Sequence, residues 1–175
     1  HTRLGASDVA TLIERLQAIG DVPHSGATVP YTLHSTLTPA QPYNREALER
    51  ALAVKLPDEL CALWTRVSGL RLFEDGYGQW GLILWSPDQL VDAHRRHMRG
   101  REQDFRFGDV IIGEFLGDSD LLVLRCDPEA RDYGQVLVAL PIDPCAEWYN
   151  VGSSLLAFLT EFVAAQGEKF WEKRR

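Results

Sequence analysis

Between residues 110 and 151 the chain alternates apolar runs with turn chemistry at a spacing that leaves room only for hairpins. Residues 110–115, 121–126, 135–140 and 147–151 are rich in Val, Ile, Leu and aromatic side chains. Gly117-Asp118, Asp127-Pro128, Tyr133-Gly134 and Asp143-Pro144 separate them. Gly supplies positive φ, Pro a fixed φ, and Asp a side-chain bond to its own backbone, so these pairs mark turns. A parallel crossover needs a dozen or more residues, so gaps this short join antiparallel neighbours. Residues 79–85, equally short, apolar and bounded by turn formers, read as one more strand.

Elsewhere the apolar spacing is helical. In residues 56–69 Pro57 suits the first helical position, Asp58 and Glu59 follow where the helix dipole favours acids, and Gly69 suits the end. Leu60, Leu63, Trp64 and Val67 form the stripe that such a helix would bury. Ser7 is expected to cap a first helix carrying Val9, Leu12, Ile13, Leu16 and Ile19 on one face, with Gly20 at its end. Asn44 is expected to cap another, whose Leu48, Ala51 and Leu52 would form a helical hairpin with the helix from Pro57. Ser86-Pro87-Asp88-Gln89 combines an N-cap, a first-turn Pro and a capping-box Gln ahead of Leu90, Val91, His94 and Met98. Ser153 opens a final apolar helix through Leu155, Leu156, Phe158, Leu159, Phe162 and Val163, which a tail with Phe170 and Trp171 could extend.

Residues 21–43 are interrupted by Pro23, Pro30, Pro39 and Pro42, with room for one short strand at 31–33. The expected organisation is therefore an N-terminal helix and Pro-containing arm, residues 1–42, packed on a domain of residues 43–175. Helices, an antiparallel meander and a closing helix make an α+β fold, with a single antiparallel-rich sheet, helices mainly on one face and the other face partly open.

A chain of 175 residues can bury a full core. Its net charge of −7 argues against a general nucleic-acid-binding role, which needs a basic surface. Residues 109–161 hold ten acids against Arg125 and Arg131, either a solvated surface or a face that steers a basic partner. Cys61, Cys126 and Cys145 show no CxxC spacing and read as reduced thiols of a cytoplasmic protein. No run of about 18 apolar residues and no signal-peptide pattern is present, so no membrane association is expected. His1 in place of Met is expected to mark a processed or trimmed start.

Residues 76–81, GYGQWG, match GxGxxG, but they follow Glu74-Asp75 and open a strand, whereas a dinucleotide site needs the pattern after a strand and opening a helix. A Gly-rich hairpin displaying Tyr77 and Trp80 is the better reading. His94 and His97 share a helix face without a third ligand nearby, so no metal is expected. Asp118-Ser119-Asp120 lacks EF-hand spacing and reads as a turn. With no GxSxG or comparable signature, neither catalytic residues nor cofactors are expected.

Several of these segments, in their order, carry a family resemblance: Glu49 with Leu56-Pro57-Asp58-Glu59-Leu60, Ser68-Gly69, Trp80 to Leu84 leading into Ser86-Pro87-Asp88-Gln89-Leu90, Ile111-Ile112-Gly113 before Gly117-Asp118-Ser119-Asp120, Tyr133-Gly134, and Ser154-Leu155 with Phe158-Leu159. Over residues 43–164 the chain resembles the SUKH superfamily, the Smi/Knr-type domain of bacterial immunity proteins and of a fungal cell-wall assembly regulator. The resemblance implies a non-enzymatic cytoplasmic protein that binds and occludes a cognate polymorphic toxin, with a basic toxin domain as partner. The alternative is a housekeeping scaffold or regulatory protein-interaction domain. Expected contacts are Tyr77 and Trp80 as anchors, and Glu74, Asp75, Glu114, Asp118 and Asp120 for steering and charge-assisted hydrogen bonds.

Overall fold

In the computed structural model, which describes residues 6–24 and 32–174, the meander is larger than residues 110–151 alone suggest. The elements in chain order are α1 (Ala6–Ala18), β1 (Val22–Pro23), β2 (Thr32–Pro39), α2 (Arg45–Leu52), α3 (Asp58–Trp64), β3 (Val67–Glu74), β4 (Leu82–Leu84), α4 (Pro87–Met98), β5 (Asp109–Phe115), β6 (Leu121–Arg125), β7 (Val136–Ala139), β8 (Tyr149–Gly152) and α5 (Leu155–Ala164). Short 3-10 turns lie at Glu102–Asp104, Cys145–Glu147 and Phe170–Arg174. The eight strands form one sheet in sequence order, each antiparallel to the next. The fold is α+β, as expected.

Neighbouring residues on a strand point to opposite faces, which shows how the helices are distributed. Phe115 meets Phe162 of α5 and Trp171, while Glu114 beside it meets His97 of α4. So α4 covers one face, and α5, with α1 and α3 packed beside it, covers the other. The face expected to be partly open carries α4, with α2 packed on it. Every residue of β6 and β7 is buried, as the apolar runs Leu121–Leu124 and Val136–Ala139 require, and Arg125 at the end of β6 is buried against Asp132. Arg71 of β3 stays exposed on the α4 face, with Ile83 of β4 and Glu114 of β5 half-buried beside it.

The caps follow local chemistry. Asn44 accepts from the Ala47 amide at 3.0 Å, and the Ser86–Gln89 capping box forms. Ser154, not Ser153, caps α5 by accepting from Ala157. Gly20 follows α1 with φ +62°, whereas Ser7 lies within that helix and its side chain falls outside the described residues. α2 packs on α4, with Arg95 donating to the Ala51 carbonyl, and does not form the expected hairpin with α3.

Three further expectations are corrected. The helix expected over 56–69 occupies only Asp58–Trp64, Pro57 is its cap, and Val67 and Gly69 belong to β3. There β2 pairs on one side (Thr38↔Gly69) and β4 on the other (Leu70↔Leu84), and this non-local pairing outweighs a helical pattern that has only one more turn to add. The strand expected at 31–33 runs over Thr32–Pro39, because Pro39 ends it where its missing N–H breaks no internal bond; Pro30 and Tyr31 lie outside the described residues. The tail does not extend α5. At Gln166 and Gly167 the chain reverses, and a Cβ on Gly167 would stand 2.6 Å from Phe73, so the turn is held against β3. Trp171 is thereby folded into a ring cluster with Phe115, Phe158 and Phe162, where burial of a large apolar side chain contributes about 1.5–3 kcal/mol.

Candidate protein-binding surface

The β3–β4 and β5–β6 turns sit side by side at one end of the sheet, because the meander brings β4 and β5 together. Asp75 shapes the first turn: its Oδ1 accepts from the Tyr77 and Gln79 amides at 3.0 and 3.2 Å, and its own amide donates to the Trp80 carbonyl. The Leu116 amide donates to the Gly81 carbonyl at 2.8 Å, joining the two turns. At Gly117, with φ +99°, a Cβ would lie 2.2 Å from the Gln79 carbonyl oxygen. Only glycine allows that approach. The result is a braced platform from which Tyr77 projects, 80% exposed.

Beneath it lies a buried cation. Lys169, from the segment after α5, ion-pairs with Asp118 Oδ2, stands 3.6 Å from Asp120 Oδ2, and lies 5.4 and 5.3 Å from the ring centroids of Trp80 and Phe115. His24 packs on the same Trp80, the two ring centroids 4.6 Å apart. Burial and then the Asp118 charge push the Asp120 carboxyl up to about 6, against the pull of Lys169.

The expected contact residues therefore divide. Tyr77 is displayed, and the Asp118 side chain is about half exposed at 47%. Asp75 and Asp120 are buried and serve the turn and Lys169, a correction to their expected display, because each carboxylate is turned toward internal donors. Trp80 is half-buried, against His24 and Lys169. Glu74 is held by Arg71 at 2.6 Å. Glu114 stands apart on the α4 face, 3.6 Å from His97.

The histidines likewise have separate partners. His94 Nδ1 accepts from the Ile111 amide, and burial followed by the Arg95 charge pushes its pKa down to about 4. His97 stacks on Trp85 at 5.3 Å, and its pKa is lowered by burial, with Glu114 opposing. Among the described residues no group of three His, Cys, Asp or Glu is arranged to hold a metal, and the three cysteines are unpaired.

The sequence model of the SMI1 / KNR4 family (SUKH-1) matches residues 39–161, well over half of the chain. The chain belongs to that family. No curated protein matches it in sequence. The matched SUKH-1 segment runs from the end of β2 into α5 and includes both turns of the platform. His24, which packs on Trp80, and Lys169, which meets Trp80, Asp118 and Asp120, come from outside it. The sequence carries no signal for them: one of two Lys in a charged tail and a His among prolines form no pattern, and only the fold brings them to Trp80. Among the described residues no helix is long and apolar enough to cross a membrane.

Proposed function

We propose that this SUKH-1 domain is a non-enzymatic, cytoplasmic immunity protein that binds a basic toxin domain and occludes its active site. The observation that carries the reading is Tyr77, a large aromatic held in water by a turn that Asp75 and Gly117 make rigid. Such a side chain loses little entropy on binding, and aromatic anchors of this kind dominate interface energetics. Asp118 beside it, and the acid-rich residues 109–161, supply the negative potential that speeds encounter with a basic partner. Family membership supports a protein-interaction role.

The test is co-expression with candidate toxin domains encoded beside the gene for this chain, scored by growth. Rescue by the wild-type chain and loss of rescue by Tyr77→Ala, with the variant still folded by circular dichroism, is the expected result. Absence of both rescue and complex formation with every such domain would sink the proposal and favour the scaffold reading.

A further inference from the structure

At the end of the sheet away from Tyr77, the α2–α3 connection and the β6–β7 turn border an open groove of about 700 Å³. Its walls are ordered by bonds between elements. The Lys55 amide donates to the Cys126 carbonyl, the Tyr133 hydroxyl to the Lys55 carbonyl at 2.8 Å, and the Leu56 amide to the Glu49 carboxylate at 2.8 Å. On the rim stands Phe107, 77% exposed. It is not on a slack loop: the Asp109 amide donates to the Arg106 carbonyl at 3.1 Å, and the Arg106 amide to Asp109 Oδ2 at 3.0 Å, closing the turn around it. Across the groove, α2 contributes no buried residue of its own, and Val54 after it remains half-buried.

The charge of the groove is lopsided. Glu46, Glu49, Asp127 and Glu129 line it against Arg50 and Lys55. Glu46 and Glu129 are exposed. The C-terminal end of α2, with its partial negative charge, faces the same space.

We propose that this groove docks a segment of a protein partner that sets an apolar side chain next to a lysine or arginine. The apolar side chain packs on Phe107 and Val54, and the cation meets Glu46 and Glu129. The proposal rests on the protein-binding reading and adds to it a second contact, at the far end of the sheet from Tyr77.

The experiment is an amide-resolved NMR titration of the whole chain with two capped peptides, Ac-Lys-Leu-Lys-Phe-Lys-NH2 and its charge-reversed partner Ac-Glu-Leu-Glu-Phe-Glu-NH2. Only the cationic peptide is expected to shift the amides of residues 53–55, 107, 127 and 129. Phe107→Ser, and separately the pair Glu46→Lys with Glu129→Lys, should each weaken it by about tenfold or more, the scale of losing one interface anchor. Tyr77→Ser should leave it unchanged. All these positions are on the surface, so the variants are expected to keep the wild-type spectrum elsewhere. Equal response to both peptides, shifts centred on residues 75–80, or a concentration-dependent dimer that Phe107→Ser abolishes would overturn the proposal. Growth rescue separates the two readings: rescue that survives loss of the groove leaves the immunity proposal standing, and peptide binding without any rescue leaves the groove standing.

Discussion

The Ile111 amide donates to His94 Nδ1 at 3.0 Å, tying β5 to α4 where the sheet would otherwise leave a backbone donor unmatched. β4 stops at Leu84, opposite Gly113, so its strand ends before it reaches Ile111. An accepting Nδ1 requires the neutral ring. That matches the pKa of about 4 that burial imposes.

The folded state therefore holds His94 neutral while the unfolded chain protonates it near 6.5. Between about pH 4 and 6.5 the unfolded state binds more protons, so this contribution is complete above 6.5 and is lost as pH falls toward 4. Its size is about 2 kcal/mol once partial exposure of the ring is allowed for. In His94→Gln the amide oxygen can still accept from Ile111, and the stability gap to wild type should shrink on acidification through that window. Urea melts at pH 4, 5, 6 and 7 measure it; a gap independent of pH would contradict the assignment. Asp109 and Asp120, both pushed up to about 6, act with the opposite sign: their contribution is fullest below 3.8 and declines as pH rises through 6, so the difference between the two proteins is the informative quantity.

Lys169→Met keeps much of the side-chain length over Trp80 and Phe115 but removes the cation from Asp118 and Asp120. Breaking a fully buried pair costs about 3–5 kcal/mol; with Asp118 half in water about 2 kcal/mol is expected. For a chain of this size that lowers Tm by about 4–8 °C. Adding Asp120→Asn should recover part of the loss, because it removes the stranded carboxylate. A double variant no more stable than the single one would show that the pair is not coupled.

Gly117 and Gly134 separate backbone strain from crowding. Both have positive φ, but a Cβ at Gly134 meets nothing within 4 Å while one at Gly117 meets the Gln79 carbonyl. Gly117→Ala should be more destabilising than Gly134→Ala by at least about 1 kcal/mol, the cost of shifting a packed backbone contact. Hydrogen exchange at Tyr77 and Gln79 should rise in the first variant only. Equal melting temperatures would mean that the two turns do not brace each other.

With the cognate toxin domain in hand, Tyr77→Ala should raise the dissociation rate at least about tenfold with little change in association. Asp118→Lys should do the reverse, slowing association at low salt and flattening its salt dependence. Stopped-flow binding at two ionic strengths distinguishes them. Tyr77→Ala leaving both rates untouched would remove the platform from the interface.

Much of the architecture was legible in residues 109–152 because each strand there is bounded by its own turn chemistry, and pairing between sequence neighbours needs no distant information. Helix ends signalled by Asn44 and by Ser86 with Gln89 were legible for the same reason. The span 56–69 misled because Val67 and Gly69 satisfy a helical pattern and a strand equally well, and β2 and β4, brought from either side, decide between them.

At the candidate surface the sequence by itself determined that residues 76–81 form a Gly-rich turn between strands and that Tyr77 and Asp118 are the kind of side chains that meet a partner. Which of the expected residues are displayed was decided by the tertiary structure alone. Asp75 and Asp120 look identical to Asp118 in a string of letters; burial separates them, since Lys169 meets Asp118 and Asp120 alike but only Asp118 keeps its side chain half in water. Lys169, 49 positions from Asp120, and Phe107 on its groove carry no local pattern at all. Their roles come from chain reversal at Gly167 and from the closing of distant segments around the sheet, which are consequences of packing and not of any short stretch of sequence.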